Sequence, residues 1–266
     1  MTHLTPELEQ SKELRTWSLD CPLVYGPLPS RRHGFSLGIN LLPRNLKVCN
    51  FDCLYCQCGR TSSETAPDSF SEFPSLEEVE EGIANRFREL ALMNILPDTI
   101  TFSGNGEPTL HPAFAEVFTV VKRYQTRYLP ESKIGVLTNG SGVSKASVFE
   151  ALVKLDWKSI KLDAGRSWMN HPQLSPDLED LIPIWKQIPD LTIQSFFSEG
   201  RVANSQPRVV ERWIEQIQRI RPRRVHIYTL DRKPALPLME KASLATLTQV
   251  ARRLALATGV RVEVFG

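Results

Sequence analysis

The chain reads as an α/β fold built on a mostly parallel sheet. Short, β-branched apolar runs alternate about six times with amphipathic helical stretches. The polar, glycine-bearing motifs fall directly after those runs. Repeated strand–helix alternation requires parallel strands joined by helical crossovers, which an open doubly wound sheet or a (β/α) barrel both satisfy. Either one places function at the C-terminal ends of its strands.

The strand-like runs are Phe35–Leu42, Thr99–Ser103, Lys133–Thr138, Ser159–Asp163, Leu191–Phe197 and Arg224–Leu230. They are four to eight residues long and mostly apolar, as strands buried on both faces should be. Val260–Phe265 alternates and reads as a last edge strand. Ser75-Leu-Glu-Glu78 is a capping box, and Val79, Ile83, Phe87 and Leu90 follow at helical spacing. Phe114, Val117, Phe118 and Val121 form a second stripe, and Val148 and Leu152 mark a third. Leu178, Leu181, Ile182 and Trp185 form a fourth, with Pro183 expected to bend it. Val210, Trp213, Ile214 and Ile217 follow Pro207, which suits a first helical turn. Leu244, Leu247, Ala251 and Leu254 form the last stripe. These stripes are core faces.

Bulk composition excludes several classes. The chain has 266 residues, 41% hydrophobic and 23% charged, with a net charge of +2. That balance argues neither for nor against a nucleic-acid partner. No run of 18 apolar residues is present, so no membrane span is expected. Met1–Asp20 is polar, carries Glu7, Glu9 and Glu13, and lacks the apolar stretch of a secretory signal. Residues 1–23 read as an N-terminal extension and 24–266 as one domain. Clustered cysteines in such a chain point to the reducing cytoplasm, where they serve a metal or catalysis rather than disulfides.

Three of the five cysteines lie close together in Cys49-Asn-Phe-Asp-Cys53-Leu-Tyr-Cys56, a C-x3-C-x2-C spacing. Three soft thiolates on one short loop select iron–sulfur, zinc or Cu(I). An ordinary cubane takes four cysteines, so three leave one iron without a protein ligand. A structural zinc knuckle is the alternative, but it needs a fourth ligand and usually pairs two C-x2-C knuckles. Cys58 is read as a neighbour of the cluster and Cys21 as a small buried apolar residue.

The triad pattern is that of radical S-adenosylmethionine (radical SAM) enzymes, and the chain resembles them. The stretch Pro29–Asn40 followed by Lys47–Gln57 resembles a branch close to the wyosine-base synthases of tRNA, alongside iron–sulfur oxidoreductases without assigned substrates. The resemblance runs from about Val24 to Asp231. It implies a partial (β/α)6 TIM-type barrel with mostly parallel strands. It implies a 4Fe–4S cluster on Cys49, Cys53 and Cys56, with S-adenosylmethionine chelating the open iron. Reductive cleavage would then give a 5′-deoxyadenosyl radical that abstracts hydrogen from substrate. An electron donor of flavodoxin or ferredoxin type is implied as a partner.

Further residues are placed by the same resemblance. Tyr55 is expected against the adenine. Ser103-Gly-Asn-Gly-Glu-Pro-Thr109 resembles the family's glycine-rich motif, which puts Gly104, Gly106 and Glu107 at the methionine amino group. Asn139 and Asp163 are candidates for the ribose hydroxyls and Gln194 for the methionine carboxylate side. Arg31, Arg32, Lys161, Tyr228 and Arg232 are substrate candidates, since paired arginines and a strand-end lysine suit an anion or carbonyl. Thr61–Ser75 reads as a flap beside the cluster. Arg219, Arg221, Arg223 and Arg224 read as a solvated helix end, with phosphate contact as the alternative. The five histidines show no metal-ligand spacing. For the substrate, tRNA competes with a small molecule, peptide or protein, and a non-enzymatic metal or redox-sensing protein stands behind both.

Overall fold

A computed structural model describes residues 19–61, 73–172, 175–232 and 239–266. Most of the expected flap and of the N-terminal extension lies outside the described residues.

The chain begins with β1 (Val24–Ser30) and β2 (Gly34–Ile39), then passes through an irregular cysteine-bearing loop to α1 (Leu76–Leu92). β3 (Thr99–Phe102), α2 (Phe114–Tyr128), β4 (Lys133–Thr138), α3 (Ala146–Lys154) and β5 (Trp157–Lys161) follow. Next come α4 (Arg166–Met169), α5 (Leu178–Trp185), β6 (Thr192–Phe196) and the short β7 (Ser198–Glu199). α6 (Pro207–Ile220), β8 (Arg224–Tyr228), β9 (Glu240–Lys241), α7 (Leu244–Thr258) and β10 (Arg261–Phe265) close it. Eight strands form one sheet in the order β1-β2-β3-β4-β5-β6-β8-β10, with β7 and β9 as a separate antiparallel pair. Every neighbouring pair from β2 to β10 is parallel. The six expected parallel strands are all present, and the alternating C-terminal run adds a seventh at the edge. This is the mostly parallel α/β sheet that the sequence predicts.

Like the short β7, β9 and α4, β1 is absent from the sequence reading. Its sequence, VYGPLPS, holds two prolines and a glycine, which count against a strand. It survives because it is an edge strand, antiparallel to β2 only, with a register shift between Tyr25 and Leu28. The prolines lack N–H groups that a central strand would have to pair.

The helices follow their stripes. Ser75 and Glu78 close a reciprocal capping box on α1, and Val79, Ile83, Phe87 and Leu90 are buried. Pro207 opens α6, which buries Val210, Trp213, Ile214 and Ile217. Pro183 lies inside α5. Leu76 and Leu244, first residues of α1 and α7, are exposed rather than packed. The outer sheet face contributes Leu37, Ile39, Ile100, Phe102, Ile134, Val136, Ile160, Ile193, Val225 and Ile227 to one core with these helices. Complete burial of each such side chain contributes about 1.5–3 kcal/mol.

The inner face is different. Alternation puts Ser36, Thr101, Ser159, Gln194, His226 and Glu263 on one side of neighbouring strands. Part of this face is hydrogen-bonded, Ser36 Oγ with Thr101 Oγ1 at 2.6 Å and Gln194 Nε2 to the Ser159 carbonyl at 3.1 Å, whereas both ring nitrogens of His226 are buried without a hydrogen-bond partner among the described residues. Two rings fill this interior over glycines. A Cβ at Gly38 would lie 2.0 Å from the Tyr25 ring, and one at Gly135 would lie 2.0 Å from the Trp157 ring. His33 stacks on Trp157 at 3.9 Å, and His226 Nε2 is 3.4 Å from the Glu263 carboxylate.

Burial lowers the pKa of both histidines, His33 to about 3 and His226 to about 4, with Arg32 adding to each. Glu263 pulls His226 the other way without overcoming burial. Both are therefore neutral when folded and take up protons on unfolding once pH falls below about 6.5. Their effect on stability is level above that pH and becomes increasingly adverse below it, by up to about 1.4 kcal/mol per pH unit for each histidine. Urea unfolding between about pH 7 and about pH 5 should show this decline. His33→Phe, which retains a ring on Trp157, should flatten it; an unchanged slope would contradict the assignment.

Candidate active site

All the site's thiols ride on a loop without regular secondary structure, and polar bonds dock it on the end of β3. The Val48 N–H donates to the Asn105 carbonyl at 2.9 Å, and the Glu107 N–H donates to the Val48 carbonyl at 3.0 Å. Gly106 has φ +142°, and a Cβ there would lie 1.9 Å from the Val48 oxygen. Only glycine fits both constraints. Asn105 is buried, and its side-chain amide donates to the carbonyls of Leu19, Pro43 and Arg44 at 2.6–3.0 Å. The glycine-rich motif thus supports the thiol loop as well as lining the cavity below it.

Cys49, Cys53 and Cys56 line one cavity of about 250 Å3, together with Cys58. Polar hydrogens point at the sulfurs. The Phe51 N–H donates to Cys49 Sγ at 3.4 Å and Asn170 Nδ2 to Cys53 Sγ at 3.3 Å. Asn139 Nδ2 is 3.9 Å from Cys49 Sγ. Lys47 is buried beneath the loop, donates to the Gly59 carbonyl at 2.7 Å, and lies 3.7 Å from Asp52. Burial opposes its charge, but the three thiols and Asp52 outweigh burial and raise its pKa. Burial pushes the Cys49 thiol well up and Cys53 to about 11. Cys56 is lowered to about 6, chiefly because the Cys58 thiol donates to it.

This donor set fits an iron–sulfur cluster. Soft ligands, N–H donors to sulfur and a buried ammonium all stabilise coordinated thiolates. Among the described residues, no three His, Cys, Asp or Glu side chains converge closely enough for one metal ion. Thiols spread round a cavity suit a multi-atom cluster better, since each then meets a different iron.

Glu107 ties the wall together. Its buried carboxylate accepts from Thr109 N at 3.1 Å and from Thr109 Oγ1, Thr138 Oγ1 and Asn139 N, each at 2.6 Å. These bonds join the ends of β3 and β4. Gly104, Gly106, Glu107, Asn139 and Gln194 all line the thiol cavity. Asn139 also donates to Asn50 Oδ1 at 2.7 Å.

Asp163 departs from its expected place. It is buried and lines neither cavity described here. Its carboxylate accepts from Phe196 N and Asn170 Nδ2, each at 2.6 Å, and from the Tyr55 hydroxyl. β5 ends at Lys161, so Asp163 turns beneath Tyr55 rather than facing a ligand. Tyr55 stacks on Phe196 at 3.8 Å, and its hydroxyl accepts from Lys161 Nζ at 2.6 Å. Lys161 also donates to the Tyr228 hydroxyl at 3.0 Å. Burial works against its charge, yet Tyr228, Asp163 and Cys53 raise its pKa.

A second cavity of about 500 Å3 adjoins the first, and Arg32, Lys161 and Tyr228 line both. Arg31 and Arg232 line the second alone. All five substrate candidates therefore meet in one place. The arginine cluster before β8 does not join them. Arg219 pairs with Glu179 at 2.6 Å, Arg223 pairs with Asp190, and both arginines precede the N-terminal end of β8.

Asn170, Asn50 and Lys47 were not singled out by sequence reasoning. Lys47 and Asn50 flank the cysteines, and that proximity was the available signal. Asn170 reaches Cys53 across 117 residues of chain, with no local signal at all.

Residues 46–167 match the family described as the Radical SAM superfamily. The chain is 27% identical over 236 residues to the UPF0026 protein MJ1312 of Methanocaldococcus jannaschii, covering 86% of this chain and 70% of that protein. Four further curated relatives are spanned over 19–57% of their own length. Among solved structures, Streptococcus suis SuiB bound to S-adenosylmethionine superposes with a TM-score of 0.58 at 11% identity, over 86% of this chain and half of that one. The structure of TYW1 with a lysine-pyruvate adduct bound gives 0.55 at 14% identity, over 84% of this chain and 74% of that one. The fold is thus that of the partial-barrel radical SAM proteins. What matches is a radical SAM domain over a little under half of the chain. The cofactors of such a domain are a 4Fe–4S cluster and S-adenosylmethionine.

Glu107→Gln tests the wall. An amide cannot serve both sets of donors, because its NH2 must face either the Thr138–Thr109 pair or the Asn139 N–H. The loss should be about 1–3 kcal/mol of unfolding free energy, read by urea denaturation. A variant as stable as wild type would show that the carboxylate does not hold the two strand ends together.

Proposed function

We propose that the chain is a radical SAM enzyme acting on a compact substrate held in the second cavity. One observation carries this reading: the three thiols of the C-x3-C-x2-C loop line one cavity together with Gly104, Gly106 and Glu107 at the glycine-rich end of β3. Held by Cys49, Cys53 and Cys56 and by the cavity wall, a cluster and S-adenosylmethionine would supply radical chemistry by one-electron reductive cleavage of the sulfonium.

The chain's own residues have three tasks. Cys49, Cys53 and Cys56 hold the cluster and leave one iron open. Gly104, Gly106, Asn139 and Gln194 shape and line the S-adenosylmethionine site. Glu107 fixes the Asn139 backbone and Thr138, so it positions that wall. Tyr55 closes the side towards Phe196, and Asp163 positions Tyr55 through its hydroxyl. Lys161, Arg32 and Tyr228 stand where the two cavities meet and face the substrate.

A small molecule, or a peptide or protein group that enters the cavity, suits this site better than tRNA. Two arginines of the cluster that would have touched phosphate, Arg219 and Arg223, are paired with carboxylates, and the cluster lies at the N-terminal end of β8, whereas the cavities lie at the C-terminal strand ends. A flavodoxin- or ferredoxin-type protein in the cytoplasm would supply the electron. No helix among the described residues is long and apolar enough to cross a membrane.

Anaerobic reconstitution with iron and sulfide, followed by reduction and addition of S-adenosylmethionine, should yield 5′-deoxyadenosine by mass spectrometry. Cys53→Ala should yield none, and turnover retained in that variant would remove Cys53 from the cluster. Zinc without sulfide in the purified protein would overturn the radical reading. Co-purified tRNA released by salt would overturn the preference for a compact substrate.

A further inference from the structure

We propose that the second cavity is an anion site, taking a carboxylate or phosphate group of the substrate between Arg31 and Arg232 on one side and Arg32 and Lys161 on the other. The inference rests on the proposed function only in assigning the bound group to the substrate.

Charge is the first argument. Four cations line the cavity and one carboxylate, Asp231, joins them. Asp231 lies 3.6 Å from Arg31, and its side chain is 55% exposed, so it screens weakly. Among the described residues, Arg32, Lys161 and Arg232 form no ion pair. Their partners are neutral instead. Arg32 Nη1 donates to Gln194 Oε1 at 2.8 Å, and its guanidinium sits 4.5 Å from the centre of the Tyr228 ring. Lys161 meets two phenol oxygens. These neutral partners orient Arg32 and Lys161, with Asp163 behind Tyr55 offsetting part of the Lys161 charge. Keeping Arg32 and Lys161 half-buried is costly, and an entering anion offsets that cost.

Placement is the second argument. The four cations arrive from three separate pieces of chain: the β1–β2 turn, the end of β5 and the stretch after β8. Arg31 reaches from its turn to the Thr229 carbonyl at 3.5 Å and a Gly266 oxygen at 3.2 Å, so it spans from one edge of the sheet to the other. Guanidinium forks of this kind suit bidentate capture of a carboxylate or phosphate. Tyr25, Tyr55 and Tyr228 add aromatic walls for the organic body beside the anion.

The carboxylate of S-adenosylmethionine does not account for all four charges. A group bound on the thiol side reaches the shared pair, Arg32 and Lys161. Arg31 and Arg232 line the second cavity alone and are left for another anion.

The test uses the full chain, reconstituted and saturated with S-adenosylmethionine. Calorimetric titration with pyrophosphate and with succinate, at fixed ionic strength, should show one saturable site. Tighter binding of pyrophosphate would identify a phosphate-bearing substrate, and tighter binding of succinate a carboxylate. Arg232→Gln, at an exposed position, should weaken the preferred anion roughly ten- to hundred-fold, and Arg31→Gln should do the same. Arg252→Gln, on the exposed face of α7, should leave binding unchanged. Saturable binding of neither anion, or wild-type affinity in both Arg31→Gln and Arg232→Gln, would overturn the proposal. 5′-Deoxyadenosine is measured on the same samples. Its formation without anion binding removes the anion site and spares the radical reading; anion binding without it does the reverse.

Discussion

The site depends on one close approach of two backbones, Val48 against Gly106. The loop that carries every cavity thiol has no helix or strand to position it. Ordering each of its residues costs about 1–2 kcal/mol of conformational entropy. A single hydrogen bond returns only about 0.5–1.5 kcal/mol net, so the loop needs many anchors acting together. Val48 supplies a donor and an acceptor to the end of β3. Asn105 gathers three carbonyls from the preceding chain, and Lys47 holds the far side of the loop through Gly59 and Asp52. All of this converges on a position where a Cβ would lie 1.9 Å from a carbonyl oxygen.

The second organising feature is a sheet with two unlike faces. The outer face is apolar and gives stability through ordinary packing against the helices. The inner face is polar and partly hydrogen-bonded, while the His33, Trp157 and His226 rings keep buried nitrogens without a hydrogen-bond partner among the described residues. The bonded part runs without a break into the site. Gln194 joins the interior to Arg32, Arg32 reaches Tyr228, Tyr228 meets Lys161, and Lys161 meets Tyr55 above Asp163. The hydrogen bonds that make a polar interior tolerable also set the orientation of the side chains facing the cavities.

The sequence disclosed much of this because periodicity reports on burial. The parallel strands and the helical stripes were legible for that reason. The cysteines were legible because their spacing is chemistry rather than packing. The glycine-rich motif was legible as a motif, but its support of the Val48 loop was not, since that contact spans almost sixty residues. β1 was hidden by prolines that only an edge strand tolerates. Asp163 was named by resemblance, which carries no information on the bonds its carboxylate makes to Phe196 N, Asn170 and the Tyr55 hydroxyl. Asn170 gave no signal, because its link to Cys53 exists only in three dimensions. The arginines before β8 read as a solvated helix end, and the carboxylates that pair with Arg219 and Arg223, Glu179 and Asp190, come from distant parts of the chain that no local pattern reveals.

The account therefore makes cluster assembly a consequence of backbone docking, beyond the mere presence of three cysteines. Gly106→Ala tests this directly, with iron and acid-labile sulfide measured per chain after anaerobic reconstitution. Wild type should take up iron and sulfide in equal amounts. The variant should keep the circular dichroism of an α/β fold while taking up little of either. A Gly106→Ala protein that loads as fully as wild type would contradict the claim that this contact holds the thiols in place.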